Sequence, residues 1–185
     1  MIIFLPENIN LIIKMKLIKP SEKYINSYLE GCRAMWGHIH DNYIIHDPQK
    51  FNEWKNSIFE EYENNAKGIN LPEGFIPHIT YWIIEDEKYL GSVDIRLGIS
   101  KQLYEYGGVC GVVIIPEYRG KGNGIKVAEL AFEKMKALGV FPIILTCEED
   151  NEPSKRTLEH FPYTKKELYE TFLYGKIRKV RRYTF

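Results

Sequence analysis

Pro116-Glu117-Tyr118-Arg119-Gly120-Lys121-Gly122-Asn123-Gly124 is the stretch that decides the fold. Before it runs Val109 to Ile115, apolar and β-branched, the pattern of a buried strand. After it, Ile125 to Leu138 repeats apolar residues at helical spacing. A glycine-rich turn from strand to helix makes an anion site, because the first N–H groups of a helix have no intrahelical acceptor. Glycine lets that backbone approach an anion closely. Arg119 and Lys121 add positive charge. The P-loop string G-x-x-x-x-G-K-[ST] does not occur. The dinucleotide string G-x-G-x-x-G fails at Ile125 when counted from Gly120, and at Val127 when counted from Gly122. An ordinary tight strand-to-helix connection is the plain alternative.

The spacing that does fit is Arg119-x-x-Gly122-x-Gly124. It resembles the acyl-coenzyme A pyrophosphate loop, [RQ]-x-x-G-x-[GA], of the GNAT superfamily of N-acyltransferases. Val109 to Pro116 looks like that family's fourth strand, and Phe141 to Cys147 like its fifth. Asp150-Asn151-Glu152-Pro153-Ser154-Lys155 looks like the D-N-x-x-S start of the following helix. Within the superfamily, "PEYRGKGNG…LTCEEDNEPSK" and the closing "KIRKVRRY" are similar to a group of bacterial predicted acetyltransferases. The resemblance is strong over about residues 75–160. It implies an α+β fold: a mixed, mostly antiparallel sheet flanked by helices, its fourth and fifth strands splayed.

Length and composition agree with one domain over residues 1–185. The chain is 44% hydrophobic and 14% aromatic, enough for a packed core. Lys+Arg and Asp+Glu are both 25, so the net charge of zero argues against nucleic acid as the main ligand. The basic Lys176 to Tyr183 reads as a solvated strand. No apolar run reaches about eighteen residues, so no membrane span is expected. Met1 to Pro6 lacks a basic region and a cleavage site, and so does not read as a signal peptide. Residues 1–14 precede the usual family start, near Met15, and read as an N-terminal extension. Cys32, Cys110 and Cys147 have no metal-like spacing, and read as buried thiols in a reducing cytoplasm.

Along the chain, Leu11 to Ile18 reads as a strand, and Tyr24, Ile25, Tyr28 and Leu29 as a helix fading near Gly37. Asp47-Pro48 opens a second helix carrying Phe51, Trp54, Ile58 and Phe59. His78 to Ile84 and Tyr89 to Ile99 form a hairpin around Glu85-Asp86-Glu87-Lys88. Gly98 to Gly108 is a loop. Strand 142–147, helix 152–160 and a hairpin of Leu168 to Tyr174 with Ile177 to Tyr183 close the chain.

For the cofactor, backbone N–H groups of Gly120, Lys121, Gly122, Asn123 and Gly124 suit a pyrophosphate, with Arg119 beside them. By the resemblance, Val112, Val113 and Ile114 hold the pantetheine arm of acetyl-coenzyme A, and Val112 or Val113 donates to the oxyanion. Asn151 and Ser154 either reach the same molecule or cap their helix. The family's glutamate base on the fourth strand is missing from 109–115. A water backed by Glu148 or Glu149 is the substitute expected here. The family's general-acid tyrosine, seven residues after the asparagine, falls on Leu158, which leaves Tyr163 as a nearby candidate. Trp36, Arg96 and Tyr104 fall on segments that shape the acceptor pocket in this family. Trp54 and Trp82 read as core. His38-x-His40 lacks a further ligand at metal spacing, and no metal is expected. Two functions follow: an acetyl-coenzyme A-dependent N-acetyltransferase acting on a small or peptide amine, or a non-catalytic coenzyme A-binding module. Either is compatible with a homodimer.

Overall fold

The computed structural model describes residues 15–36, 46–173 and 175–185. Among these are seven strands: β1 (Lys16–Ile18), β2 (His78–Glu85), β3 (Lys88–Arg96), β4 (Cys110–Ile114), β5 (Ile144–Glu148), β6 (Lys165–Leu173) and β7 (Lys176–Thr184). Five helices accompany them: α1 (Ile25–Met35), α2 (Phe51–Trp54), α3 (Ile58–Lys67), α4 (Asn123–Ala137) and α5 (Glu152–Glu159). The strands form two antiparallel sheets, β1-β2-β3-β4 and β5-β7-β6. The charged turn of the β2–β3 hairpin holds Asp86 and Glu87 at φ 52 and 59, the left-handed geometry of a tight hairpin.

The sheets meet where β4 approaches β5. Val109 N–H donates to the Ile144 carbonyl at 2.7 Å, and beyond that bond the two strands part. Gly108 makes this approach possible. A Cβ there would stand 2.8 Å from the Ile144 carbonyl oxygen, and its φ of 63 suits glycine. The expected splay of the fourth and fifth strands is therefore present.

Period-two alternation gives the sheets two faces. On one face, Tyr81, Ile83, Val93, Ile95, Leu145 and Tyr183 pack with Val127, Ala131 and Met135 of α4. On the other, Trp82, Ile84 and Tyr89 pack with Tyr28 and Cys32 of α1 and Ile58 of α3. Each such buried side chain contributes about 1.5–3 kcal/mol of transfer free energy. Trp82 is fully buried, stacked on Tyr28 at 4.5 Å. His46 sits beside this cluster, 2.7 Å from the Tyr28 hydroxyl and 3.1 Å from the Glu61 carboxylate.

The structure departs from the sequence reading in three places. The second helix is broken into a 3₁₀ turn Pro48–Lys50, α2 and α3. Asp47 does cap the start, accepting from Gln49 N–H at 2.9 Å. The break follows from Ser57, whose N–H and hydroxyl both take the Trp54 carbonyl. The 98–108 loop contains a single π-turn, Leu103–Gly107. The last hairpin starts earlier, at Lys165, because β6 pairs with β7 along its whole length. The first strand is described only from Lys16; residues 11–14, the proposed extension 1–14 and His38-x-His40 lie outside the described residues. Cys32, Cys110 and Cys147 are free, and burial pushes their thiols up to about 11, about 12 and about 11. No helix among the described residues is long and apolar enough to cross a membrane.

Candidate active site

The gap between β4 and β5 is lined by backbone. On β4, the Val109 carbonyl accepts from Arg96 N–H, and Ile115 N–H donates to the Leu90 carbonyl. With the register Val113↔Ser92 and Gly111↔Asp94, alternation turns the N–H and C=O of Gly111 and Val113 towards β3. Those of Cys110, Val112 and Ile114 face the gap. On β5, Phe185 N–H donates to Ile143 and Glu149 N–H to Lys179, so Thr146 and Glu148 turn theirs into the gap. Of the two expected oxyanion donors, Val112 is therefore the one whose N–H faces the gap. Val113 is committed to the sheet.

The glycine loop sits at the open end of β4. Gly122 is the N-cap of α4 at φ 78, and a Cβ on it would meet nothing within 4 Å. Its left-handed backbone is what aims the first turn of α4 outwards, and the space in front is open. Gly124 does a different job. A Cβ there would stand 3.0 Å from Thr157 Oγ1, so this glycine lets α4 and α5 close up. The loop's side chains make contacts of their own, Arg119 and Lys121 from exposed positions. Arg119 Nε donates to the Ile114 carbonyl at 2.7 Å, which ties the loop to the end of β4. Asn123, buried, donates from Nδ2 to the Tyr118 carbonyl at 3.0 Å. Lys121 lies over the Tyr118 ring at 5.8 Å. The loop thus presents the first backbone N–H groups of α4, with Arg119 and Asn123 fixing its shape.

The other expected residues separate into groups. Asn151 caps α5, its Oδ1 accepting from Ser154 N–H at 3.1 Å. The Ser154 hydroxyl is close enough to Cys147 to oppose the rise that burial gives its thiol. Lys155 pairs with Glu152 at 2.5 Å. Glu148 receives Arg178 on both carboxylate oxygens, at 2.7 and 2.9 Å. Arg181 does the same to Glu149 and holds that carboxyl below its ordinary range. Both carboxylates at this end of β5 are thus already engaged by arginine. Tyr163 stands edge-on to Tyr183, beside the Thr164–Thr184 contact at the joined end of β5, away from the open gap. We expect Glu148→Gln to lower turnover by no more than about tenfold, well short of the 10²–10⁴ that a lost general base costs. Steady-state rates at saturating amine measure this.

The expected pocket residues also find structural employment. Arg96 donates to the carbonyls of Gly107 and Gly108 at 3.0 and 3.2 Å, clamping the joint of the two sheets. The Tyr104 ring covers the Arg182 guanidinium at 3.8 Å, and Tyr169 lies at 4.1 Å. Arg182, 2% exposed, also donates to Glu167 at 2.7 Å. Trp36 is half exposed and borders a surface hollow with Arg33, Pro48 and Gln49. Sequence reasoning missed Asp94. It lies on the α1-side face of β3, opposite Gly111, with Thr80 donating to it at 2.6 Å. The signal was there: Ser92, Asp94 and Arg96 alternate with Val93 and Ile95. No group of three or more His, Cys, Asp or Glu among the described residues could hold a metal.

A two-sheet fold split at β4 and β5, with a glycine-capped helix at the mouth, defines the class. The chain belongs to the acetyltransferase (GNAT) family, whose model matches residues 39–161. It is an N-acetyltransferase by that membership. It is 26% identical over 100 residues to N-alpha-acetyltransferase 30 of Schizosaccharomyces pombe, covering 54% of this chain and 67% of that protein. Mycobacterium smegmatis RimJ in complex with CoA-disulfide shares the fold at a TM-score of 0.67 and 14% identity, over 92% of this chain and 81% of that one. So does the microcin C7 self-immunity acetyltransferase in complex with acetyl-CoA and AMP, at a TM-score of 0.61 and 14% identity, over 93% and 92%.

Proposed function

We propose that this chain transfers the acetyl group of acetyl-coenzyme A to a primary amine of a peptide or small molecule. The observation that carries this reading is the gap between β4 and β5, walled by the free backbone groups of Val112 and Thr146. At its mouth stand the first-turn N–H groups of α4. An amide-bearing arm pairs with such an edge as an added strand does. A pyrophosphate suits the helix start, where N–H groups and the helix dipole both favour negative charge. Val112 N–H then donates to the thioester oxygen and stabilises the charge that develops there. The amine enters from the face of α1, opposite α4. Relatives named for acetylating protein α-amines support a peptide amino terminus as one acceptor class.

Acetyl-coenzyme A should raise the melting temperature, and NADH or ATP much less, by mass action on the folded state. Equal stabilisation by ATP would remove the cosubstrate assignment. Coenzyme A release is then followed across tripeptides with a free amino terminus, an Nα-blocked lysine peptide and butylamine. A binding module without catalysis would show the thermal shift and release no coenzyme A from any of them.

A further inference from the structure

We propose that Asp94 receives the acceptor's ammonium group and takes its proton, the role for which β4 carries no carboxylate. This rests on the acetyl-transfer reading above. Four observations place Asp94 there. Its register partner on β4 is Gly111, so β4 sets no side chain between the carboxylate and the gap. Gly111 is the neighbour of Val112, whose N–H faces the gap. Asp94 is half buried on the face opposite α4, the side left to the acceptor. Thr80, itself buried, donates to Oδ1 at 2.6 Å and fixes the carboxylate.

The second carboxylate oxygen is what makes this a site. Among the described residues, no Lys, Arg or His lies within ion-pair distance of Asp94, whereas Glu148 and Glu149 at the end of β5 are both paired with arginine. The charge of Asp94 already reaches β4: burial drives the Cys110 thiol up to about 12, Arg96 opposes this, and Asp94 adds to it. An arriving ammonium supplies the missing partner. The ligand class is therefore a cationic primary amine.

The step balances as follows. The ammonium gives one proton to Asp94 and becomes a neutral amine. Its nitrogen pair forms the new C–N bond at the thioester carbon, and the carbonyl oxygen takes the negative charge beside Val112 N–H. The C–S bond breaks, and the sulfur leaves with its electron pair. The nitrogen loses a second proton, which the thiolate takes up to give free coenzyme A. Asp94 returns its proton to water.

Asp94→Asn keeps the shape and removes the charge. With the best amine of the panel above, kcat/KM should fall at least about 100-fold. The dissociation constant for acetyl-coenzyme A should stay within about twofold, since the proposal gives Asp94 to the acceptor and not to the cosubstrate. A loss under about tenfold would overturn the assignment. Should Asp94→Asn fail to fold, Thr80→Val tests the same carboxylate by removing its donor. A loss of about tenfold is expected there, of the size a charged hydrogen bond gives, and an unchanged rate overturns the proposal. Wild-type protein that releases no coenzyme A with any amine would overturn the transfer reading itself, and this assignment with it.

Discussion

Gly122→Val should weaken acetyl-coenzyme A binding by at least about tenfold, roughly 1.4 kcal/mol. Gly122 opens α4 at φ 78, a conformation costing an ordinary residue about 1–2 kcal/mol and a β-branched one more. Valine would either strain the N-cap or turn it, and turning it re-aims the first N–H groups of the helix. Its side chain would also project into the open space in front of the loop, where nothing lies within 4 Å of a built Cβ. No packing is lost at this position, so the stability loss should be limited to that backbone cost. Gly124→Val separates from it. There the new side chain meets Thr157 and pushes α4 from α5, so stability should fall together with binding. Calorimetric titration alongside thermal melts distinguishes the two. Unchanged affinity in a folded Gly122→Val protein would mean that the pyrophosphate binds elsewhere.

Trp82→Ala should cost about 3–5 kcal/mol of folding stability, the usual range for deleting a large buried aromatic. The indole is fully buried at the centre of the α1-side core. It stacks on Tyr28 at 4.5 Å and meets Tyr89 and Tyr62 edge-on at 5.6 and 6.3 Å. Those rings come from α1, β3 and α3, so none can move into the hole without dragging its own element. Urea unfolding followed by circular dichroism measures the loss. A loss under about 1 kcal/mol would show that the aromatic cluster repacks freely. Because Trp82 lies two residues along β2 from Thr80, the variant should also loosen the hold on Asp94.

What the sequence disclosed and what it hid divide by distance along the chain. The glycine loop, the start of α4 and the Asn151 cap are settled within a few residues, so local spacing was enough to read them. The partner of Glu148 was hidden because Arg178 arrives thirty positions later through the register of β7. Arg96 looked like a pocket residue, and only the fold of the 98–108 segment brings the carbonyls of Gly107 and Gly108 to it. Asp94 escaped for a related reason. Strand alternation shows that it shares a face with Ser92 and Arg96. That the strand beside it carries a glycine at the facing position is a matter of pairing, which no single segment contains. Loops follow the same rule: the break between α2 and α3 was written in Ser57, a short-range competitor, yet the apolar spacing of Trp54, Ile58 and Phe59 read as one continuous helix.

The lone Val109–Ile144 bond leaves two strands facing each other with their hydrogen-bonding rows bare, a condition that most β proteins avoid because open edges recruit other chains. Here the bare rows lie in a cleft closed at one end by that bond. Arg119 closes off the Ile114 carbonyl at the wide end, shortening the row that a stray strand would find. Filling the cleft, as the proposed cosubstrate would, covers both rows and with them that hazard.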